Sequence, residues 1–319
     1  MVTAPTVAPE ELGPYGPVGR SAWLDIDWST HQHWVVVAGQ PVNVCEIGPA
    51  DGDPIVWIHG LSGSWQNWLE NLPVFAEAGF RCLALDLPGF GQSPMPRDEI
   101  TITGYGALVN ELLEELEIPA ASIVGNSMGG FIASELAICC PQRVQRLVLV
   151  SAAGLSVEDL RNDMGMALLR RLDFLLGACV GWFASRSDFV AKRERLRFAT
   201  FSIVAAHPQQ LPPPLVEENL RGSGKPGFIP SVQALTTYPI RERLPEICCP
   251  TLIVWGTKDH LVPVRDAHEF ERLIPDSRKV IYEDTGHVPQ LERPTAFNAL
   301  VREFIAEPPN EDVKQPAEA

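Results

Sequence analysis

Short apolar runs alternate with longer helical patterns along most of this chain. The runs are rich in Val, Ile and Leu, and polar residues do not recur at every second position. They cover residues 55–58, 81–85, 122–124, 146–150, 251–255 and 279–282. Helical patterns such as residues 105–116 and 131–140 lie between them. Strands of this kind are expected where helices cover both faces of a sheet. The alternation therefore predicts an α/β fold with a mostly parallel, doubly wound sheet flanked by helices.

Two further segments complete the predicted organisation. Residues 34–38 and 42–47 flank Gly39 and Gln40, a pattern that predicts a β-hairpin. The alternation breaks between about residues 155 and 238, where a helical pattern mixes apolar and basic residues. We therefore predict an N-terminal extension (1–30), a core (31–154 and 239–307), a helical cap insertion (155–238) and a C-terminal tail (308–319). The first 20 or so residues are rich in Pro and Gly, and we expect them to lie loosely on the surface.

Composition and charge argue against several classes of binding partner. The chain has 319 residues, of which 45% are apolar and 20% charged, as in ordinary globular proteins. A formal net charge of −15 would repel phosphate backbones, which argues against nucleic-acid binding. No apolar run approaches the roughly 18 residues of a membrane span, and the N-terminus lacks a secretory signal pattern. The seven cysteines have no CxxC spacing, so we expect buried thiols in a reducing cytoplasm and no metal site.

The first candidate for chemistry is a serine between glycines. It lies where an apolar run meets a helical pattern, in the hexapeptide Gly125-Asn126-Ser127-Met128-Gly129-Gly130. This pattern is called the nucleophile elbow. A direct turn from strand to helix forces its central residue to positive φ, and glycines let the two arms pass closely. Taken alone, the hexapeptide also fits an ordinary glycine-rich turn, so Ser127 needs partners before a nucleophile is indicated.

Asp259 and His287 are the predicted partners of Ser127. A serine hydroxyl needs a positioned base, and that base needs an orienting carboxylate. Asp259 follows the run at residues 251–255, and His287 follows the run at 279–282. Because the carboxyl ends of parallel strands meet at one edge of the sheet, folding would bring the three residues together. Their order along the chain, Ser then Asp then His, is the one expected after a serine elbow. Asp284 is the alternative acid, but we interpret it as shaping the loop before His287.

The loop after residues 55–58 supplies a predicted oxyanion hole. We expect its donors to be the backbone N–H groups of Leu61 and Met128. His59 is interpreted as holding the loop through local backbone hydrogen bonds, without a proton-transfer role. Trp65 could line a substrate pocket or anchor this loop. Trp182, Phe183 and Val288 complete the predicted substrate pocket, although most cap aromatics are expected to serve packing.

Together these motifs resemble the α/β-hydrolase superfamily over roughly residues 34 to 306. They occur in its order: His59-Gly60, the turn at residues 86–93, the serine elbow, the Asp259 loop and Gly286-His287. The resemblance implies about eight strands, with a helical cap inserted after the sixth. It implies a structural role for the turn at 86–93. A serine at the elbow, rather than an aspartate, argues against the epoxide hydrolases and haloalkane dehalogenases of this superfamily.

The resemblance also narrows the expected reaction. Residues 288–294 are similar to those of capped esterases and lipases, which implies a serine hydrolase of small carboxylic esters that needs no cofactor. The hexapeptide is similar to that of meta-cleavage-product hydrolases, which split carbon–carbon bonds. Those enzymes usually carry a Ser-Gly-Pro-Gly oxyanion loop and a tryptophan directly after the catalytic histidine. This chain instead has the loop sequence Leu-Ser-Gly-Ser-Trp at residues 61–65, and Val288 after His287. A ligand receptor with the hydrolase fold is a third alternative.

Overall fold

The computed structural model describes residues 6–156 and 185–308, which form a mostly parallel sheet flanked by helices. The sheet order within these residues is β1-β9-β8-β7-β6-β4-β5-β3-β2, with β2 and β3 antiparallel to their neighbours. The strands are β1 Thr6–Val7, β2 Gln32–Val37, β3 Gln40–Ile47, β4 Pro54–Ile58, β5 Arg81–Leu85, β6 Ala121–Asn126, β7 Val144–Val150, β8 Thr251–Gly256 and β9 Ser277–Tyr282. The predicted α/β class, the parallel sheet and the β2–β3 hairpin are confirmed.

Helices connect the strands on both sides of the sheet. Those described are α1 Pro9–Leu12, α2 Leu72–Glu77, α3 Ile102–Glu115, α4 Met128–Cys139, α5 Ser187–Ala191, α6 Glu194–Phe201, α7 Pro213–Arg221, α8 Phe228–Thr237, α9 Arg265–Leu273, α10 Pro289–Glu292 and α11 Pro294–Ala306. Helices α5 to α8 lie between β7 and β8, where the sequence predicts a helical insertion. We call residues 185–237 the inserted segment. No helix in the described ranges is long and apolar enough to cross a membrane.

Each face of the sheet carries its own hydrophobic core. Strand β4 shows this most clearly, because Val56 and Ile58 belong to one core and Ile55 and Trp57 to the other. Helices α3, α4 and α9 cover the first core, and α2 and α11 cover the second. Alternate side chains of a strand point to opposite faces, so an apolar run without polar alternation buries both sets. Packing in these two cores holds in place the sheet that carries the candidate site.

The N-terminal extension is packed against the core, contrary to the expectation of a loose surface segment. Strand β1 pairs with β9 in parallel, which adds a ninth strand to the eight expected. Leu12 and Trp23 are buried, and the Trp23 indole Nε1–H donates to Glu70 Oε1 at 2.7 Å. The Gly16 N–H donates to the Glu292 carbonyl oxygen at 2.7 Å. The expectation for the first 20 or so residues is wrong for residues 6–16, because a few apolar and hydrogen-bonding residues outweigh an average rich in Pro and Gly.

The cysteines of the described residues only partly match the expected buried thiols. All six are free; Cys45 and Cys82 are buried in the sheet, whereas Cys139 and Cys248 are exposed. Cys139 is the last residue of α4, and Cys248 precedes β8 by a few residues. The prediction of burial is therefore wrong at these two element ends, where an apolar sequence pattern extends past the part of the element that is packed.

Candidate active site

Ser127 is the single residue of the turn between β6 and α4. It has φ 55° and ψ −117°, a backbone conformation that side-chain-bearing residues rarely adopt. Its N–H donates to the Val150 carbonyl at 2.9 Å. Its own carbonyl accepts from the N–H groups of Phe131 and Ala153 at 3.1 and 3.0 Å. These bonds hold the strained turn predicted by the sequence, with Ser127 at the start of α4.

Close backbone contacts explain the glycines around Ser127. A Cβ atom on Gly125 would lie 2.3 Å from the Gly129 carbonyl oxygen. A Cβ atom on Gly129 would lie 2.1 Å from the carbonyl oxygen of Ile58, at the end of β4. No side chain fits at these distances. The two glycines therefore bring α4 against both β6 and β4, which sets the serine beside the loop that follows β4.

His287 and Asp259 form a buried pair at the ends of β9 and β8. The His287 Nδ1 lies 2.8 Å from Asp259 Oδ2, and the two residues are 4% and 8% exposed. The other carboxylate oxygen accepts from the N–H groups of Leu261 and Val262, each at 2.9 Å. With Asp259 ionised, Nδ1 carries the proton and Nε2 is left as an acceptor. That tautomer is the one a general base requires.

Asn126 joins the histidine loop to the elbow. Its side-chain Nδ2 donates to the His287 carbonyl at 3.2 Å and to the Val150 carbonyl at 3.0 Å. The residue directly before Ser127 is therefore bonded to the backbone of His287. Sequence reasoning missed this role. Its signal is a buried amide at the end of an apolar strand, but the partners are carbonyls that only the fold identifies.

The Asp284 side chain makes its described contacts outside this pair. Its carboxylate contacts His207 Nε2 at 2.9 Å and forms an ion pair with Lys258. Burial acts to raise the pKa of the Asp284 carboxyl, but hydrogen bonds from Lys258 and His207 hold that pKa below its usual value. The structure thus pairs His287 with Asp259, and Asp284 has the loop-shaping contacts that the sequence analysis expected.

The loop after β4 lies directly against the elbow. A Cβ atom on Gly60 would lie 3.1 Å from the Cβ of Ser127. The His59 Nδ1 contacts the Gly60 carbonyl at 2.7 Å, and its Nε2 accepts from the Leu87 N–H at 3.1 Å. Burial lowers the pKa of the His59 imidazole, which keeps the ring neutral and suits this pair of bonds. The expected local backbone contacts of His59 are confirmed.

The predicted oxyanion donors lie on either side of this contact. Leu61 follows Gly60 in the loop after β4, and Met128 is the first residue of α4. Among the described residues, the Leu61 and Met128 N–H groups donate to no protein acceptor. Backbone donors aimed at a site beside a nucleophile can stabilise an anionic oxygen there.

Asp86 fixes the far end of the same loop. Its Oδ1 accepts from the Trp65 N–H at 2.9 Å, and its Oδ2 accepts from the Gln92 N–H at 2.8 Å and Asn43 Nδ2 at 2.9 Å. Trp65 is 3% exposed, and its ring centroid lies 5.0 Å from that of Trp28. Of the two alternatives for Trp65, these contacts favour an anchor of the loop over a pocket wall.

The remaining pocket candidates divide into two groups. Val288 follows His287 and is buried, with its N–H bonded to Glu292 Oε1 at 3.1 Å. Trp182 and Phe183 lie outside the described residues. In the ranges that the structure does describe, no group of three or more His, Cys, Asp or Glu side chains is placed to hold a metal ion. Of the residues predicted for the site, the described part of the structure brings together the Ser127 elbow, the His287–Asp259 pair and the loop after β4.

Known proteins resemble this chain in sequence. A family model described as alpha/beta hydrolase fold matches residues 53–294. The acetyltransferase component of the acetoin cleaving system of Cupriavidus necator is 30% identical over 79% of this chain, and the chain spans only 63% of that relative's length. A 2-hydroxy-6-oxo-6-phenylhexa-2,4-dienoate hydrolase of Comamonas testosteroni is 28% identical over 80% of the chain and 88% of the relative.

Solved structures resemble the fold. A meta-cleavage product hydrolase aligns with a TM-score of 0.66 at 25% identity, covering 86% of this chain and 98% of the other. An esterase from Exiguobacterium antarcticum aligns with a TM-score of 0.67 at 23% identity, covering 86% and 99%. The family model covers most of the chain, and its fold agrees with the sheet and elbow described above. The chain therefore belongs to the alpha/beta hydrolase family.

Proposed function

We propose that this protein is a serine hydrolase that cleaves a small carboxylic ester through an acyl-enzyme. The observation that carries the proposal is the 2.8 Å contact between His287 and Asp259, in a loop that Asn126 bonds to the Ser127 elbow. Ser127 Oγ attacks the ester carbonyl while His287 Nε2 accepts its proton. Asp259 orients the imidazole and stabilises its cationic form.

The second half of the reaction uses the same groups. The N–H groups of Leu61 and Met128 donate to the oxyanion of the tetrahedral intermediate. Its collapse breaks the ester C–O bond, and His287 returns the proton to the leaving alkoxide. His287 then takes a proton from water, which attacks the acyl carbon. As the second tetrahedral intermediate collapses, the bond from the acyl carbon to Ser127 Oγ breaks and His287 returns the proton to Oγ, which releases the acid and the free serine. No metal or organic cofactor takes part in these steps.

A carbon–carbon bond hydrolase is the second candidate. It is favoured by the similarity to the dienoate hydrolase of Comamonas testosteroni and by another of that name from Burkholderia cepacia, 29% identical over 80% of the chain. Val288, where such enzymes are expected to carry tryptophan, and the Leu61 loop favour the ester. Both reactions need a serine elbow and a histidine base, so the described site alone is compatible with either.

We further propose that residues 155–238 act as a cap on a core of residues 31–154 and 239–307, with 1–30 and 308–319 as terminal extensions. The contact of the inserted segment with the histidine loop supports this division, because the His287 N–H donates to the Val204 carbonyl at 2.8 Å. A segment bonded at that point would line the approach to Ser127. We propose a small-molecule substrate and a cytoplasmic location.

A substrate panel tests the proposed reaction. We expect p-nitrophenyl acyl esters to be turned over with a higher kcat/KM than a 2-hydroxy-6-oxo-dienoate. Ser127→Ala should lower ester turnover at least about 1,000-fold, because the nucleophile is lost while the oxyanion donors remain. Asp284→Asn is the matched control. It removes a carboxylate from the loop that carries His287 but leaves the pair of His287 with Asp259, so it should retain most activity.

The outcomes of the panel separate the candidates. Turnover of the dienoate alone would select the carbon–carbon bond hydrolase. A Ser127→Ala variant with nearly unchanged turnover would refute both candidates, since each depends on this serine.

A further inference from the structure

Glu292 is a carboxylate buried directly behind the histidine loop. It lies in α10, five residues after His287, and its exposed fraction is 0%. Its Oε1 accepts from the N–H groups of Gly286 and Val288 at 3.0 and 3.1 Å. Its Oε2 accepts from the same Gly286 N–H at 2.8 Å and from the Ala206 N–H at 2.9 Å. The Tyr15 hydroxyl donates to Oε2 at 2.5 Å.

These bonds hold the backbone on both sides of His287. Gly286 and Val288 are its immediate neighbours, and both donate to the one carboxylate. The His287 N–H itself donates to the Val204 carbonyl. Three consecutive amides are therefore fixed, and they carry the imidazole that must meet Asp259 at 2.8 Å. A small rotation of either peptide unit would displace the imidazole ring. The His287 side chain has only two rotatable bonds, so it cannot fully compensate for such a rotation.

Glu292 also joins three separate segments of the chain. Tyr15 comes from the N-terminal extension, Ala206 from the inserted segment and Gly286 from the histidine loop. The approach is close, since a Cβ atom on Gly286 would lie 2.8 Å from the Ala206 nitrogen and 3.0 Å from Glu292 Oε1. The backbone of Gly286 is thus pressed between the inserted segment and the carboxylate.

Packing alone does not account for a carboxylate at this place. Burial raises the pKa of the Glu292 carboxyl, while hydrogen bonds from Tyr15 and from the three amides oppose that shift. A buried charge costs free energy unless its hydrogen bonds compensate, and an apolar residue of similar size often packs as well. What an apolar residue cannot do is accept hydrogen bonds from the two amides that flank His287.

We propose that Glu292 is a positioning residue: it fixes the backbone of His287 for proton transfer and ties that loop to Tyr15 and Ala206. This inference rests on the proposed function for its kinetic readout. Glu292 does not touch the reacting atoms, so its effect passes through the orientation of His287.

Glu292→Gln tests this role with little change of shape. The glutamine amide nitrogen replaces one acceptor oxygen, so a donor then faces the N–H groups of Gly286 and Ala206. We expect kcat for a p-nitrophenyl ester to fall about 10- to 100-fold, with KM within about twofold, because sub-ångström misplacement of a base slows chemistry more than binding. Glu70→Gln is the matched control. It makes the same change at a buried carboxylate that accepts from the Ser21 and Trp23 side chains and not from the histidine loop, so its kcat should stay within about twofold.

A spectroscopic readout separates positioning from folding. The His287 Nδ1 proton shared with Asp259 should give a far-downfield NMR resonance, assigned by its absence in His287→Gln. In Glu292→Gln this signal should broaden or disappear at temperatures well below the melting temperature. If Glu292→Gln does not fold, Glu292→Asp takes its place, because the shorter carboxylate keeps the charge but cannot reach all its donors.

The results distinguish this inference from the proposed function. A wild-type protein that cleaves no ester would refute the ester assignment, yet loss of the downfield signal in Glu292→Gln would still support positioning. A Glu292 variant with a lowered melting temperature but an unchanged kcat and an unchanged signal would overturn the inference.

Discussion

At the residue scale, one strained serine sets the geometry of the site. Ser127 is held at φ 55° by the hydrogen bond that its N–H donates to Val150, by those that its carbonyl accepts from Phe131 and Ala153, and by the close glycine contacts between β6 and α4. Backbone conformations of this kind cost about 1–3 kcal/mol and persist where the surrounding structure over-determines them. The strain is a property of the backbone, so it can be separated experimentally from the serine hydroxyl.

Two substitutions at position 127 measure that strain. Both Ser127→Ala and Ser127→Gly remove the hydroxyl, but only glycine adopts the positive φ without a Cβ clash. After allowing for the greater entropy of unfolded glycine, we expect Ser127→Gly to be more stable than Ser127→Ala by about 1 kcal/mol. Urea unfolding gives the comparison. An alanine variant as stable as the glycine variant would show that the turn is not strained.

Sequence reasoning succeeded at this scale for residues whose positions follow from strand ends. Asp259 was predicted to pair with His287 because both follow adjacent parallel strands, and the structure pairs them at 2.8 Å. Glu292 and Asn126 were not identified. Their partners are mostly backbone amides and carbonyls, which every residue carries, so the sequence does not mark those partners.

At the element scale, the N-terminal extension departs most from expectation. The Pro and Gly content of its first 20 or so residues suggests a loose surface segment, yet Leu12 is buried and β1 lies beside β9, and Trp23, which follows that segment, is buried as well. Burial of isolated side chains depends on sites formed by distant elements, here Glu70 and the second core. The Pro and Gly content is an average over the whole segment, in which single apolar side chains do not show. It therefore could not predict that the N-terminal extension packs against the core. The β-hairpin, in contrast, has local turn and strand signals and was predicted correctly.

Leu12→Ala tests whether the extension contributes to stability. Leu12 is 2% exposed in the core that includes Trp23, so its truncation should cost about 2–5 kcal/mol of unfolding free energy. Val18→Ala, in the same extension at 63% exposure, is the control and should change that energy by less than about 0.5 kcal/mol. If chemical denaturation shows that neither substitution changes the unfolding free energy measurably, the segment is held loosely and the prediction is wrong.

At the scale of the whole molecule, the sheet order brings the loops of the candidate site to one edge of the sheet. Ser127 follows β6, Leu61 follows β4, and Asp259 and His287 follow the neighbouring strands β8 and β9. Residues far apart in the sequence thus meet because parallel strands all end there. The order of motifs along the chain was enough to predict this arrangement. The substrate was not predictable to the same degree, because the elbow and the loops around it resemble different hydrolases.

We propose that Ser127 is a nucleophile activated by His287. Labelling with a fluorophosphonate, followed by mass spectrometry, tests it without knowledge of the substrate. We expect one adduct, on Ser127, with labelling about 1,000-fold slower in His287→Gln and nearly unchanged in Asp284→Asn. An adduct on another residue, or a His287→Gln variant labelled at the wild-type rate, would contradict it.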